Sequence, residues 1–329
     1  MKYLITGATG LVGNNVTRLL LERGDSVRAL VRQSQLDRSL ANLPIQTVRG
    51  DITQSDTLSA AIDGVDAVIH CAAFVHLGSS QEDLMQAANV DGTASIATAC
   101  RNAGVLLLYV SSVDALGLGT RANPANEDTP TDTYPVLCGY VRTKRAAEAA
   151  VQAEVARGLD AVIVNPVYML GPWDWKPSSG RMLLEVARGW AKLSPPGGND
   201  FVDVRDVALG ILTACARGKT GRRYILGGTP LSYFDAWTLF AEITGAKPPW
   251  RNARTPMLWL AGTAGDLIYR LTGKEPDFNS AAVAMSRIEH HYSYARAAAE
   301  LDYRPRDLRE TVTAAWEWFV DHGYARKRS

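Results

Sequence analysis

The chain of 329 residues has no excess of charge: 35 basic residues stand against 34 acidic ones, a net +1. That excludes the strong field by which nucleic-acid-binding proteins collect their partners. Long apolar runs are also missing. The most apolar stretch, Met257 to Gly265, is far too short to span a bilayer and ends at Asp266. Four cysteines, Cys71, Cys100, Cys138 and Cys215, lie far apart with no CxxC, which reads as buried small side chains in a reducing cytosol. The five histidines have no ligand spacing, and the adjacent pair His290 and His291 points different ways, so no metal is expected. The first strand begins at residue 2, which leaves no room for a signal peptide, and a cytoplasmic location is expected. Tryptophan is absent before Trp173, and all eight lie at or beyond it.

What is present starts with a strand, a glycine turn and a helix. The first 165 or so residues alternate short apolar strands with helices, the pattern of βαβ units in a parallel sheet. Strands are expected at Tyr3–Thr6, Ser26–Val31, Gln46–Arg49, Ala67–Cys71, Leu106–Ser111 and Ala161–Asn165. Helices are expected at Leu11–Arg23, Asp56–Ala61, Glu82–Ala103 and Tyr140–Ala156. The expected fold class is α/β, a doubly wound parallel sheet of Rossmann type with a smaller C-terminal substrate-binding lobe. Residues 1–165 with about 199–228 form the dinucleotide-binding part, and about 166–198 with 229–329 form the lobe. The segments Asn199–Val204 and Arg223–Leu226 are expected to return as strands to the large sheet.

The opening loop carries Gly7, Thr9, Gly10, Leu11, Val12 and Gly13 in a GxxGxxG spacing. Gly7 permits a sharp turn, Gly10 lets backbone approach a pyrophosphate, and Gly13 lets the helix pack on the sheet. The diphosphate belongs on the free N–H groups at the helix start. At the end of the second strand, where an NAD site places a carboxylate for the ribose 2′-hydroxyl, this chain has Arg32. A guanidinium pairs with a 2′-phosphate, so NADP(H) is the expected cofactor, with NAD(H) as the alternative. Asp51 and Ile52 after the third strand are candidates to flank the adenine. Ala72 and Ala73 after the fourth give room for cofactor backbone.

Ser112 closes the fifth strand, and Tyr140 and Lys144 sit four apart on a helix, so phenol and ammonium share a face. A phenol with a pKa near 10 must come down by about 3 to exchange protons at neutral pH, and the ammonium with the positive nicotinamide supplies that pull. Lys144 also reaches the ribose hydroxyls, and Ser112 holds the substrate oxygen. Apolar side chains at Phe74, Val75, Tyr134, Tyr168, Met169, Trp173 and Trp175 are candidate pocket walls. Pro256–Tyr269 reads as an amphipathic element over the substrate mouth. Contact with a membrane surface is left open for it, against burial as an ordinary helix. The alanine-rich helices Glu82–Ala103 and Tyr140–Ala156 are expected to pair across a two-fold axis as a homodimer.

Together these residues resemble the extended short-chain dehydrogenase/reductase superfamily, also described as NAD(P)-dependent epimerases and dehydratases. The likeness extends over Asn89 to Thr93, Asn165 to Pro172 and Phe201 to Ala208. The later segments Tyr224–Gly228, Leu271–Pro276 and Ala299–Pro305 are similar to a narrower group. It comprises dihydroflavonol 4-reductase-like, 3β-hydroxysteroid dehydrogenase-like and hopanoid-associated sugar epimerase-like proteins. The resemblance implies a catalytic Ser112, Tyr140 and Lys144, an Asn89 that keeps a backbone kink or water relay near the site, and Pro166 and Val167 against the nicotinamide amide. It implies an oxidoreductase moving hydride between NADP(H) and the ketone or secondary alcohol of a hydrophobic small molecule. The alternative is a nucleotide-sugar epimerase or dehydratase. Members acting on nucleotide sugars usually carry Arg before the Asp-Phe-Val strand to pair with the diphosphate, and here that position is Asn199. A non-catalytic cofactor sensor is a third class, disfavoured because Ser112, Tyr140 and Lys144 are all kept.

Overall fold

A computed structural model describes residues 1–32 and 37–327. In chain order the first half contains β1 (Lys2–Thr6), α1 (Leu11–Glu22), β2 (Ser26–Val31), β3 (Gln46–Arg49), α2 (Leu58–Ile62), β4 (Ala67–His70), α3 (Glu82–Met85), α4 (Gly92–Ala103), β5 (Leu106–Val110), α5 (Gly139–Val155) and β6 (Ala161–Pro166). The second half adds β7 (Tyr168–Leu170), α6 (Gly180–Arg188), β8 (Leu193–Ser194), β9 (Gly198–Asp203), α7 (Val204–Arg217), β10 (Arg223–Leu226), β11 (Thr229–Ser232) and α8 (Tyr233–Thr244). It ends with β12 (Arg251–Asn252), α9 (Thr255–Thr272), α10 (Ser280–Met285), α11 (Ala295–Leu301) and α12 (Leu308–Asp321).

Seven strands form one sheet in the order β10-β6-β5-β4-β1-β2-β3, with every pairing parallel. Chain direction across the sheet reverses between β1 and β4. The carboxyl ends of those two strands therefore part there and leave the crevice where such folds take ligands. The central strands are apolar on both faces because helices cover both. All four residues of β4 are buried, whereas edge strand β3 is mostly exposed. One core lies between the sheet and α1 and α7, another between the sheet and α2, α4 and α5.

The six strands expected in the first half and Arg223–Leu226 all join this sheet, with ends shifted by a residue at most. The segment around Asn199–Val204 does not. It forms β9 in a separate three-stranded sheet of order β11-β9-β7, parallel to β7 and antiparallel to β11. β7 comes one residue after β6 and leads the chain off the large sheet, so β9 finds its partner there. The helix expected at Glu82–Ala103 is one helical path with a π turn at Gln86–Asp91 between α3 and α4. A third apolar core, with Trp316, Trp318, Phe319 and Phe240, joins α6, α8 and α12.

Candidate active site

The opening loop has the geometry its glycines were expected to supply. Gly7 has φ +71°, and a Cβ there would come 2.7 Å from the Ala72 backbone nitrogen. A Cβ on Gly13 would come 2.3 Å from the Gly7 carbonyl oxygen, so only glycine lets α1 start this close to the turn. Gly10 precedes α1 with no side-chain cap, and the first turn of α1 has no acidic residue. The N–H groups of Leu11 and Val12 thus keep their free, positive end of the helix. Thr9, Leu11 and Val12 are partly exposed around it. Such an uncapped, unobstructed cradle fits a dinucleotide diphosphate. Arg32 is exposed directly after β2. Asp51 is half-buried, and its Oδ1 accepts from Thr53 N at 3.0 Å and Thr53 Oγ1 at 2.9 Å. Ile52 packs on Gly92, whose Cβ would come 2.8 Å from Ile52 Cγ1.

Beyond β4 the chain turns through Ala72 and Ala73, and Ala72 N donates to Thr6 Oγ1 at 3.3 Å. Asn89, 1% exposed, clamps the loop at Phe74: its Oδ1 accepts from Phe74 N at 2.7 Å and its Nδ2 donates to Phe74 O at 2.9 Å. The same Nδ2 donates to Thr143 Oγ1 on α5 at 3.1 Å. Asn89 lies within the π turn, and its side chain ties the loop after β4 to the helix that carries Tyr140 and Lys144.

The structure brings Ser112, Tyr140 and Lys144 together at the carboxyl end of β5. Ser112 Oγ donates to Asp114 Oδ2 at 3.0 Å and accepts from Asp114 N at 3.2 Å. Burial and the Asp114 carboxylate push the Tyr140 phenol well above its ordinary pKa, against a downward pull from its hydrogen bond with Ser112. Burial lowers Lys144 from 10.5 to about 8, against an upward pull from Glu148. The ammonium donates to the Val110 carbonyl at 3.1 Å and to Tyr109 OH at 3.4 Å. The sequence led us to expect a phenol drawn down by Lys144 together with the positive nicotinamide. In the structure the lysine is anchored to β5, and burial raises the pKa of the phenol.

Several partners were not anticipated. His70 is fully buried between Thr6 Oγ1 (2.6 Å) and Thr93 Oγ1 (3.0 Å). Burial and Lys144 lower its pKa to about 3, so it is neutral and serves the turn. Glu148, one turn beyond Lys144 and 2% exposed, accepts from Asn165 Nδ2 at 2.5 Å and Arg223 Nε at 2.7 Å. Asn165 in turn donates to the Ser112 carbonyl at 2.9 Å. A buried carboxylate thus fixes the backbone under Ser112 and supports the lysine charge. Pro166 and Val167 are buried just beyond it.

Tyr134 is not a free pocket wall. It is 3% exposed, its OH donates to Asp114 Oδ1 at 2.6 Å, and it lies 3.1 Å from His290 Nε2. His290 Nδ1 lies 3.0 Å from the Gly198 carbonyl oxygen, which can only accept, so Nδ1 carries a proton. One phenol proton cannot serve both Asp114 and His290. It goes to Asp114, the shorter contact, and leaves His290 Nε2 beside the phenol oxygen. Trp173 also lies elsewhere than expected. It stacks on the Arg18 guanidinium, 3.3 Å from its carbon, and sits in a cluster with Trp175, Trp318 and His322. Those rings join α1 to α12 because the second-half core is built from tryptophan. Tyr168 OH donates to the Ser179 carbonyl at 2.7 Å, with its ring edge-on to Phe201, and Met169 is half-buried at the rim of the first core. Phe74 is half-buried in the clamped loop.

Residues 3–227 match the NAD dependent epimerase/dehydratase family, and the chain belongs to it. It is an NAD(P)-dependent oxidoreductase of the extended short-chain dehydrogenase/reductase type. It is 34% identical to the putative dihydroflavonol 4-reductase of Synechocystis sp., over 98% of this chain and 96% of that protein. It is 33% identical to sterol demethylase protein B of Methylococcus capsulatus, over 98% of this chain and 99% of that protein. Among solved structures it is similar to that of gox2253, at 38% identity and a TM-score of 0.86, covering 98% of this chain and 99% of that one.

Proposed function

We propose that the protein reduces the ketone of a hydrophobic small molecule with NADPH, with Tyr140 as the proton donor. The observation that carries this reading is the meeting of Ser112, Tyr140 and the buried ammonium of Lys144 at the carboxyl end of β5. Such a phenol can give its proton to a carbonyl oxygen, and the relative named as a reductase supports that direction. The cradle of Gly7, Gly10 and Gly13 holds the diphosphate, Arg32 the 2′-phosphate, and Lys144 the ribose beside the nicotinamide. When bound, the nicotinamide would supply the hydride.

Ser112 orients the carbonyl oxygen, and the Tyr140 O–H bond breaks as its proton passes to that oxygen. The phenolate is stabilised by Lys144 and then recovers its proton from solvent. Asp114, which accepts from Ser112 and from Tyr134, fixes the place of the Ser112 hydroxyl. Asn89 and Glu148 position the machinery without touching the reacting atoms.

The apolar substrate is supported by the relatives named for a dihydroflavonol and a sterol, and by the lack of an arginine at Asn199. Phe74, Tyr168 and Met169 remain the candidate contacts, in a lobe formed by about 166–198 and 229–329 against a dinucleotide domain of 1–165 with about 199–228. Asn199 donates to Tyr233 OH at 3.4 Å. All four cysteines are free, in keeping with a reducing cytoplasm. Assembly as a homodimer through the outer faces of α4 and α5 completes the reading, and light scattering at micromolar concentration tests it. The activity test is NADPH oxidation across a panel of apolar ketones. Net turnover abolished in Tyr140→Phe supports the reading. A retained cofactor with no net absorbance change on nucleotide sugars would replace it with an isomerase.

A further inference from the structure

Helix α9 presents its apolar face to solvent. Its inward face is made of small residues. A Cβ on Gly262 would come 3.1 Å from Ser280 Cα, and one on Gly265 would come 1.9 Å from the Phe278 carbonyl oxygen. Leu258 adds only a minor core with Ala253 and Val283. The outward face carries Met257, Leu260, Leu267 and Leu271, which are 45%, 61%, 55% and 76% exposed. These positions recur at helical spacing and form one continuous stripe, flanked by Trp259 at 62% exposure. A stripe of this kind is a site of contact.

Its flanks identify the partner. From Lys247 to Lys274 the chain has five cations (Lys247, Arg251, Arg254, Arg270, Lys274) and one carboxylate (Asp266), 5 − 1 = +4, while the whole chain is only +1. The neighbouring carboxylates are engaged: Asp266 accepts from Ser280 N at 3.1 Å, Asp277 pairs with Arg181 at 2.5 Å, and Glu275 pairs with His76 at 2.7 Å. Those five cations have no carboxylate partner among the described residues. We propose that α9 and these cations form a docking face for an anionic lipid surface, with the helix lying in the plane of the interface. The leucines enter the acyl boundary, Trp259 sits at the headgroup level, and the cations meet phosphates. Two copies of the chain meeting through this stripe would set cations against cations with no carboxylate to offset them, which disfavours a second copy. Among the described residues no helix is long and apolar enough to cross a membrane.

The face is next to the cleft. After α9 the chain reaches Glu275, which accepts from Ser79 N and Ser80 N at 2.9 Å each, in the segment between β4 and α3. A lipid-dissolved substrate would therefore arrive at the mouth of the site. The docking itself does not depend on the reaction, and its test reads binding alone.

The full-length protein is sedimented with vesicles of phosphatidylcholine, with and without phosphatidylglycerol. The wild type is expected to bind the anionic vesicles and to be released by salt. Leu260→Ser/Leu267→Ser/Leu271→Ser is expected to lose on the order of a hundredfold in partitioning. Arg251→Gln/Arg254→Gln/Arg270→Gln/Lys274→Gln is expected to lose the preference for phosphatidylglycerol, about fivefold per cation. All seven side chains are exposed, and an unchanged thermal midpoint checks the fold of each variant. Wild-type protein that stays in the supernatant with both vesicles, or a triple-serine variant that binds as well as wild type, overturns the proposal. So does a wild-type dimer that becomes monomeric in the triple-serine variant without any vesicle binding, which would make the stripe a contact between copies.

Discussion

Replacing Lys144 by Met should make the cofactor-free protein more stable while destroying its activity. Lys144 is 2% exposed, and burial brings it from 10.5 to about 8. At about 1.4 kcal/mol for each tenfold change in proton affinity, keeping that ammonium charged at pH 7 costs the fold about 3 kcal/mol. Methionine has similar length and no charge. It forfeits the hydrogen bond to the Val110 carbonyl, worth about 1 kcal/mol, and leaves a net gain of about 2 kcal/mol. The sign follows from linkage: between pH 8 and 10.5 the unfolded chain keeps a proton that the native chain gives up, so the penalty is full below pH 8 and fades towards 10.5. Denaturant titrations of both proteins without cofactor, at pH 7 and pH 10, measure it. A methionine variant less stable than wild type at pH 7, or a gain that is the same at both pH values, would refute a strained buried charge.

Four further outcomes are expected. Glu148→Gln removes the carboxylate that supports the ammonium, so Lys144 titrates lower and the alkaline limb of the kcat profile moves below pH 8; an unmoved limb would separate Glu148 from Lys144. Because the variant also leaves Arg223 without its carboxylate, about 1–3 kcal/mol of stability should go with it, read from a denaturant midpoint. Gly13→Ala should fold yet bind NADPH at least about tenfold more weakly by calorimetry, since its Cβ would fall 2.3 Å from the Gly7 carbonyl. His290→Phe removes the imidazole beside the Tyr134 phenol that holds Asp114, and should lower kcat with little change in KM; equal loss in both constants would mean a packing role only.

Much of the dinucleotide half was legible in the sequence because periodicity and glycine spacing are local properties. Strands of β1 to β6 are short apolar runs bounded by turns, and the constraints on Gly7 and Gly13 come from a single strand–turn–helix. Where a strand finds its partner is not local. β9 looks like any other strand of the large sheet, and only the exit of β7 from that sheet decides that β9 pairs there. The contacts among Asp114, Tyr134 and His290 were invisible for the same reason: Asp114 and His290 are 176 residues apart, and the bond to Tyr134 depends on the fold of irregular segments. Tyr134 and Trp173 were chosen as pocket walls for being aromatic, yet a buried phenol needs a hydrogen-bond partner and a tryptophan a large contact area, and each found one within the protein. The sequence read α9 as an amphipathic element with two unlike faces. Which of them faces inward depends on Ser280 and Phe278, fifteen residues on from Gly265 or nearer.

Stereospecifically deuterated NADPH, offered with an apolar ketone, tests the central claim most directly. Wild-type protein should deliver one deuterium to the carbinol carbon from one face of the ring only. Tyr140→Phe should bind the cofactor unchanged and transfer none above background. Deuterium transfer at the wild-type rate in Tyr140→Phe would contradict the assignment of that phenol as the acid.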